Sequence, residues 1–257
     1  MTFSEQIIYA MFKPSKYKEM VELKARRSVL FVIVLMLVLG IVGYAVPTGA
    51  LIAGFGGFES LFTEKISDFE FSDGELSIEK SFEMTFDYTN ILIDDSVETI
   101  TDEMLHRDGA YFAIGSKTLR MAYVFGNQIQ DYKTIELQLL LPNGFNNQSL
   151  VELIPALHVG LVIGFFMICI GYFIKYAIFS LVLSICINSM NKHLELGLSY
   201  GKVFMICFYG QTLAIIASNF NAALGLLPVT IVSMVGIFVS IHMITTAVMS
   251  FQRDKEV

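Results

Sequence analysis

Residues 28–46 read SVLFVIVLMLVLGIVGYAV, nineteen consecutive positions without a charged side chain, followed by Pro47. The hydrocarbon core of a bilayer is ~30 Å thick and takes ~20 helical residues, because a helix satisfies its backbone polar groups within the segment. The stretch is long enough to span. A cleaved signal peptide would have a short basic leader and a core of roughly 7–15 apolar residues. Here 27 residues precede the run, so it is expected to be a retained anchor, transmembrane helix 1.

Three further apolar runs lie toward the C-terminus, at about 154–187, 200–218 and 226–251. The first is interrupted only by Lys175. As one helix it would be roughly 50 Å long, more than one hydrocarbon thickness, so it must tilt, kink or project on one side. Asn188–Ser199, with Lys192, His193 and Glu195, is the polar link to the next run. Asn219-Phe220-Asn221 and Gly225 to Pro228 make a short turn before the last.

Between the first and second runs the texture changes. Residues 47–155 hold 18 of the 24 acids against six bases, an excess of 12 negative charges, which would repel the phosphates of a nucleic acid. Pro47 to Phe62 is glycine-rich and reads as a flexible or re-entrant connection. Beyond it, 66–71 and 75–82 alternate apolar and polar residues around Asp73-Gly74, a pair suited to the positive φ angles of a tight hairpin. Further strands are expected over 90–100, 109–114, 119–125 and 134–141.

The fold class that follows is a polytopic α-helical membrane protein of four transmembrane helices, with an extracytoplasmic β-rich α+β domain inserted between helices 1 and 2. The expected parts are an amphipathic and basic segment over 1–27, transmembrane helix 1 over 28–46 and the strand-rich domain over 47–153. The remaining bundle covers 154–251 and a tail 252–257. Lys and Arg are retained on the cytoplasmic side of short loops. The N-terminal segment (six bases, three acids), the Lys192 loop and the Arg253/Lys255 tail are then all cytoplasmic, as an even number of spans requires.

Within 1–27, Thr2 and Glu5 fit a capping box ahead of Phe3, Ile7, Ile8, Met11 and Phe12 at near-helical spacing. Two readings stay open there: a helix lying on an anionic membrane surface, or a short helix packed on the bundle.

Lys175 is the one charged residue inside an apolar run away from its ends. Such a group is expensive in hydrocarbon and raises a site hypothesis by default. The plainer reading is an amine that snorkels to the interface. Gly160, Gly164, Gly171 and Lys175 fall within about 60° on one helical face, a candidate surface for a close neighbouring helix. Gly197 with Gly201, and Gly236 between Ser233 and Ser240, are further packing candidates. His158 and His242 could relay protons, but they read more simply as core or interfacial residues.

Cys169, Cys186 and Cys207 all sit in apolar runs and form no disulfide framework or zinc spacing. The chain has no calcium loop, phosphate loop, His-Glu-x-x-His helix or Gly-x-Ser-x-Gly elbow. No metal, no cofactor and no catalytic residue is expected. Asn147-Gln148-Ser149 matches the short glycosylation pattern.

Several stretches together resemble a bacterial membrane family known as domain of unknown function 1189. They are Phe12-Lys13-Pro14-Ser15-Lys16-Tyr17, the Ile66–Phe71 and Asp73-Gly74-Glu75-Leu76 hairpin, Ile91-Leu92-Ile93-Asp94, and Ser199-Tyr200-Gly201-Lys202. Some members are labelled maltodextrin-utilisation proteins, and the family is distantly similar to Yip1-type membrane proteins. The resemblance implies a bacterial cell membrane location, a helical scaffold and an accessory role near carbohydrate uptake. It supplies no catalytic residue. The chain has no Trp to form a sugar platform.

The expected function is that of a non-enzymatic membrane accessory or scaffold protein, its outer domain contacting a partner protein or an envelope ligand. Its partners are the lipid bilayer and a membrane-protein partner or a second copy. The alternative is a carrier or channel subunit with Lys175 on the substrate or proton path. Single cysteines at Ser72, Ser199 and Lys255, probed with a membrane-impermeant thiol reagent on intact cells, are expected to label at position 72 alone. Labelling of position 199 from outside would overturn the topology.

Overall fold

The computed structural model describes residues 1–86, 88–126, 128–224 and 226–253. The expectations placed on Gly225 and Lys255 therefore lie outside the described residues. The chain forms two compact units, Met1–Ala50 with Gly160–Val257, and Leu51–Val159.

Among the described residues, four helices are long and apolar enough to cross a membrane: Arg26–Gly54, Ile154–His193, Tyr200–Asn221 and Val229–Gln252. They follow two short helices, α1 (Phe3–Phe12) and α2 (Tyr17–Val21). The first long helix begins as α3 (Ala25–Gly40), passes through a π-helical turn at Ile41–Ala45 and continues as α4 (Val46–Gly54). Pro47 does not end it, contrary to the sequence reading. Proline lacks an N–H and its ring clashes with the carbonyl four residues back. Here the Val46 N–H bonds to Ile41 O, five residues back, and the wider π turn relieves the backbone just ahead of the ring. The glycine-rich connection shrinks to Phe55–Gly57, where Gly56 and Gly57 take φ of 81° and 97°.

The capping box at Thr2 and Glu5 is present. Of the two readings of α1, the structure shows the packed one. Ala10, Tyr17 and Met20 are fully buried in the helical core, and the Phe3 ring lies 6.1 Å from that of Phe31. The Tyr17 hydroxyl donates to the Ala10 carbonyl at 2.6 Å, closing the end of α1. Tyr209 stands at the centre, edge-on to Tyr17 at 6.0 Å and to Phe31 at 5.2 Å. Ile206 and Ile244 complete this core.

The remaining long helices are α7 (Ile154–His193), the broken pair α8 (Tyr200–Gly210) and α9 (Thr212–Leu224), and α10 (Val229–Arg253), preceded by α5 (Phe58–Ser60) and α6 (Asn147–Glu152). At 40 residues α7 is about 60 Å long. The two connections share a device. Asn191 accepts from Leu198 N at 3.1 Å and donates to Leu198 O at 2.9 Å, and Asn221 does the same to Leu227 at 2.9 Å for both bonds. Each asparagine thus pairs with a loop residue as a neighbouring strand would, satisfying backbone groups at the ends of the helices. Asn221 still lies in α9 rather than in a turn.

The second unit is built on two sheets. A three-stranded sheet has the order β2 (Glu75–Ile78), β1 (Phe69–Ser72), β8 (Phe145–Asn146). Its hairpin turns at Asp73 and Gly74, both at positive φ, as the sequence predicts. A five-stranded sheet runs in sequence order through β3 (Phe82–Phe86), β4 (Thr89–Ile93), β5 (Gly109–Ile114), β6 (Thr118–Phe125) and β7 (Gln128–Glu136). The strand expected over 90–100 ends at Ile93, and the one expected over 134–141 lies earlier, at 128–136. The first ends there because β4 and β5 pair in parallel, which requires a crossover of a dozen or more residues. The fifteen residues between Ile93 and Gly109 supply it, laying Ile100 and Leu105 against Tyr111, Ala113, Ala122 and Val124.

Arg120 fastens that crossover. Its guanidinium, largely buried, donates to Asp131 on β7 at 2.7 Å, to the Ile100 carbonyl at 2.9 Å and to Asp102 at 2.5 Å. Hydrogen bonding to Asp131, and then to Asp102, pushes its pKa up against the opposing effect of burial.

Burial also pushes the Tyr17 phenol above the usual tyrosine range. The buried neutral phenol stabilises the fold fully below the unfolded pKa, and this contribution is lost as pH rises through the folded pKa. Thermal unfolding of the detergent-extracted chain should therefore lose stability above about pH 10. Tyr17→Phe should lessen that alkaline loss, while costing about 0.5–1.5 kcal/mol at neutral pH through its missing hydrogen bond.

Candidate functional site

Lys175 lies on α7, 21 residues from Ile154 and 18 from His193, and the helix runs unbroken through it. Its Nζ stands 5.5 Å from the centroid of the Tyr176 ring. It lines a cavity of about 330 Å³ between α7, α9 and α10, together with Gln211, Ser218, Ser233 and Ser240. The α8–α9 break at Gln211 belongs to this place. The Gln211 side-chain amide donates to Ser180 Oγ at 2.6 Å and to the Cys207 carbonyl at 3.1 Å. Gly210 just before it leaves room for Ile244, whose side chain occupies the place of a Cβ.

The chemistry available is one amine, one amide and several hydroxyls. No carboxylate, His or Cys is among the lining residues, so the cavity can orient a polar group but holds no paired nucleophile and base. Thr212 Oγ1 and Asn219 Oδ1 are buried without a partner among the described residues, each of which costs roughly 1–3 kcal/mol. The sequence pointed to Lys175 because a charge in an apolar run is conspicuous. Gln211, Ser218 and Ser233 carry no such signal.

The other sequence candidates are scattered. His158 bonds to the Ile154 carbonyl at 2.8 Å through Nδ1 and meets the Phe58 ring edge-on at 5.4 Å. His242 is exposed on α10. Within the chain, the expected glycine face of α7 does not form a continuous packing seam. Gly160 and Gly171 have open space where a Cβ would stand, and only Gly164 meets a neighbour, Tyr44 Oη at 2.6 Å. The buried face of α7 is instead Cys169, Tyr176, Ser180, Ser184, Ile187 and Asn191, apolar and small polar residues at steps of three, four and seven. Gly197 takes φ of 71° in the α7–α8 connection and so serves a turn, and Gly201 also faces open space. Gly236 does pack, with the Ala214 side chain at 3.3 Å.

Close approach occurs at glycines the sequence reading passed over. A Cβ on Gly43 would stand 2.5 Å from Tyr172 Oη and 2.9 Å from Asn219 Oδ1. One on Gly40 would collide with Cys169 Sγ and stand 3.0 Å from the Phe165 ring. The first long helix thus supplies the small residues, and α7 and α9 supply the side chains that enter them.

The strand unit offers a second candidate surface. Cross-strand partners Met84, Ile91, Phe112 and Met121 form one row over β3, β4, β5 and β6, ending at Lys133 on β7. Phe112 is 40% exposed and the other three apolar members are half-buried. The next row on that face, Ile93, Ile114 and Leu119, packs against Phe71, Leu76 and Leu137, so the three-stranded sheet covers one end of the face. Asn147 is not presented for modification. Its amide nitrogen donates to the Phe62 carbonyl at 2.9 Å and its oxygen accepts from Phe69 N at 2.9 Å, bonds that a glycan on that nitrogen would break.

These features define a helical bundle of membrane-spanning character carrying a strand-rich unit, without a recognisable reaction centre among the described residues. The chain belongs to the family described as Protein of unknown function (DUF1189), which matches residues 4–250. Comparison with curated proteins brings no match, and comparison with solved structures brings none either.

The glycines differ by position in what a side chain would meet. Gly43→Leu should lower the yield of folded, detergent-extracted chain severalfold, because Tyr172 and Asn219 must both withdraw. Gly160→Leu should leave yield and melting temperature unchanged. Equal effects of the two substitutions would contradict this assignment.

Proposed function

We propose that the protein is a non-enzymatic accessory or scaffold of the bacterial cell membrane. In this reading four helices span the bilayer, both termini are cytoplasmic, and the strand unit lies outside, where it contacts a partner protein or an envelope ligand. A carbohydrate-uptake system, as the maltodextrin label of some relatives suggests, and a Yip1-type scaffolding role are the finer forms of this proposal.

The observation that carries it is the open apolar row Met84, Ile91, Phe112 and Met121. Apolar side chains left at a sheet surface gain by being covered, at roughly 25 cal/mol per Å² removed from water, and contiguous exposed patches of this kind mark interaction surfaces. Lys133 at one end of the row supplies a charge that can fix the register of a partner. The basic flanks of the apolar helices support the orientation.

A second reading is favoured by one specific observation, the placement of Lys175 in a cavity with Gln211 and three serines. In that reading the chain is a carrier or channel subunit, and the amine meets the substrate or proton.

The two are separable. A photo-crosslinking residue at position 112 in native membranes should yield a defined cross-linked protein, and Met121→Asp, its neighbour in the row, should abolish its recovery without changing the amount of membrane-bound chain. Lys175→Gln should leave that recovery unchanged. A lone monomer that moves a solute in liposomes, and loses this ability in Lys175→Gln, would replace the scaffold reading with the carrier one.

A further inference from the structure

A groove of about 860 Å³ runs between α3, α7 and α8, walled by apolar side chains such as Val32, Met36, Phe173 and Met205. We propose that it holds one acyl chain of an anionic phospholipid, with the lipid phosphate at its Lys202 end. The proposal rests on the membrane reading above but not on its orientation or on the scaffold role.

Length argues for an acyl chain. On α3 the lining extends from Ser28 to Leu37, nine helical steps or about 14 Å. On α8 it extends from Gly201 to Phe208 and on α7 from Phe166 to Phe173, seven steps or about 10 Å each. One leaflet of hydrocarbon is half of ~30 Å. The groove is therefore as deep as one leaflet and stops there, whereas a partner helix crossing the bilayer would need a seam about twice as long.

Charge argues for an anionic headgroup. The polar members of the lining, Ser28, Ser199 and Lys202, gather at one end. Lys24 follows directly on the lining residue Leu23, and Arg27 directly precedes Ser28. Lys24, Arg26 and Arg27 are all exposed. The Lys202 amine pairs with Glu22. The exposed Lys24, Arg26 and Arg27 add positive charge to the mouth beyond that pair. The N-terminus of α8 adds to this, since Ser199 caps it without a side-chain hydrogen bond and its first amides carry the positive end of the helix dipole. A phosphate would share Lys202 with Glu22 and draw on Lys24 and Arg27, while its acyl chain covers the wall along Val29, Ile33 and Ile170, each at least half exposed.

The test uses the full chain. Resistance to alkaline carbonate extraction first establishes membrane insertion, and extraction of the chain by carbonate would refute the membrane reading itself. The inserted protein is then purified in detergent and titrated with phosphatidylglycerol or phosphatidylcholine under native mass spectrometry. One phosphatidylglycerol per chain is expected, retained at least roughly fivefold more tightly than phosphatidylcholine, the preference that even one of these cations gives near the surface. Ile33→Trp and Val29→Trp, both at exposed lining positions, should reduce retention of either lipid. Lys24→Gln with Arg27→Gln, which takes two exposed cations from the mouth, should largely remove the preference while keeping the chain site. Equal retention of the two lipids by the unaltered protein, retention unchanged in both Trp variants, or a lipid-free dimer seated through this groove would each overturn the proposal while leaving membrane insertion standing.

Discussion

The helical unit depends on how closely the first long helix can approach its neighbours. At Gly40 and Gly43 there is no side chain, and Phe165, Cys169, Tyr172 and Asn219 come up against the bare backbone. Dispersion contacts fall off steeply with separation, so a gap of even 1 Å forfeits much of the attraction. Small residues at a helix contact therefore fix the spacing of everything packed around it. The π turn at Ile41–Ala45 falls at this same level. It rotates the helix by the equivalent of one extra residue and lets the apolar run continue past Pro47 to Gly54.

Around that contact the interior is more polar than its composition suggests. Gln211 bonds to Ser180 where the third long helix breaks, Tyr209 donates to Ser28 at 3.1 Å, and Ser184 and the Tyr200 hydroxyl lie 2.7 Å apart. Hydrogen bonds between apolar helices hold specific partners together, because an unsatisfied polar group in such surroundings is costly. The paired Asn191 and Asn221 clamps extend the same economy to the connections, each closing a turn with two bonds from one side chain. Of the three buried side-chain atoms without a partner among the described residues, Gln6 Nε2 lies on α1, while Thr212 Oγ1 and Asn219 Oδ1 lie on α9, the helix that also borders the Lys175 cavity.

The strand unit solves a different problem. A parallel pair inside an otherwise antiparallel sheet forces a long crossover, and that crossover must be held against the sheet. Arg120 does so by bonding to β7 and to the crossover at once. Its two carboxylate partners are more than half exposed, so water shares their charge and the buried guanidinium remains satisfied without the full desolvation of a buried ion pair. One face of the five-stranded sheet is thereby closed by the crossover, and the other is covered only at the Ile93, Ile114 and Leu119 end.

The four apolar helices, the strand-rich insertion, the capping box at Thr2 and the hairpin turn at Asp73-Gly74 were all legible in the chain's local pattern. Each of these is written in local spacing: a run of uncharged residues, a period of two, a pair of residues that tolerates positive φ. The pattern also singled out Lys175, since a charge inside an apolar run stands out without any structure. Which residues meet is set by packing between distant segments. The packing of α1 into the core, the role of Gly40 and Gly43 rather than Gly160 and Gly171, and the pairing of Gln211 with Ser180 all join residues distant in the chain. So do the Arg120 fastening and the parallel β4–β5 register. A glycine in an apolar helix looks the same whether a neighbour enters its gap or not. The difference lies in the shape of the partner surface, which the local pattern does not encode.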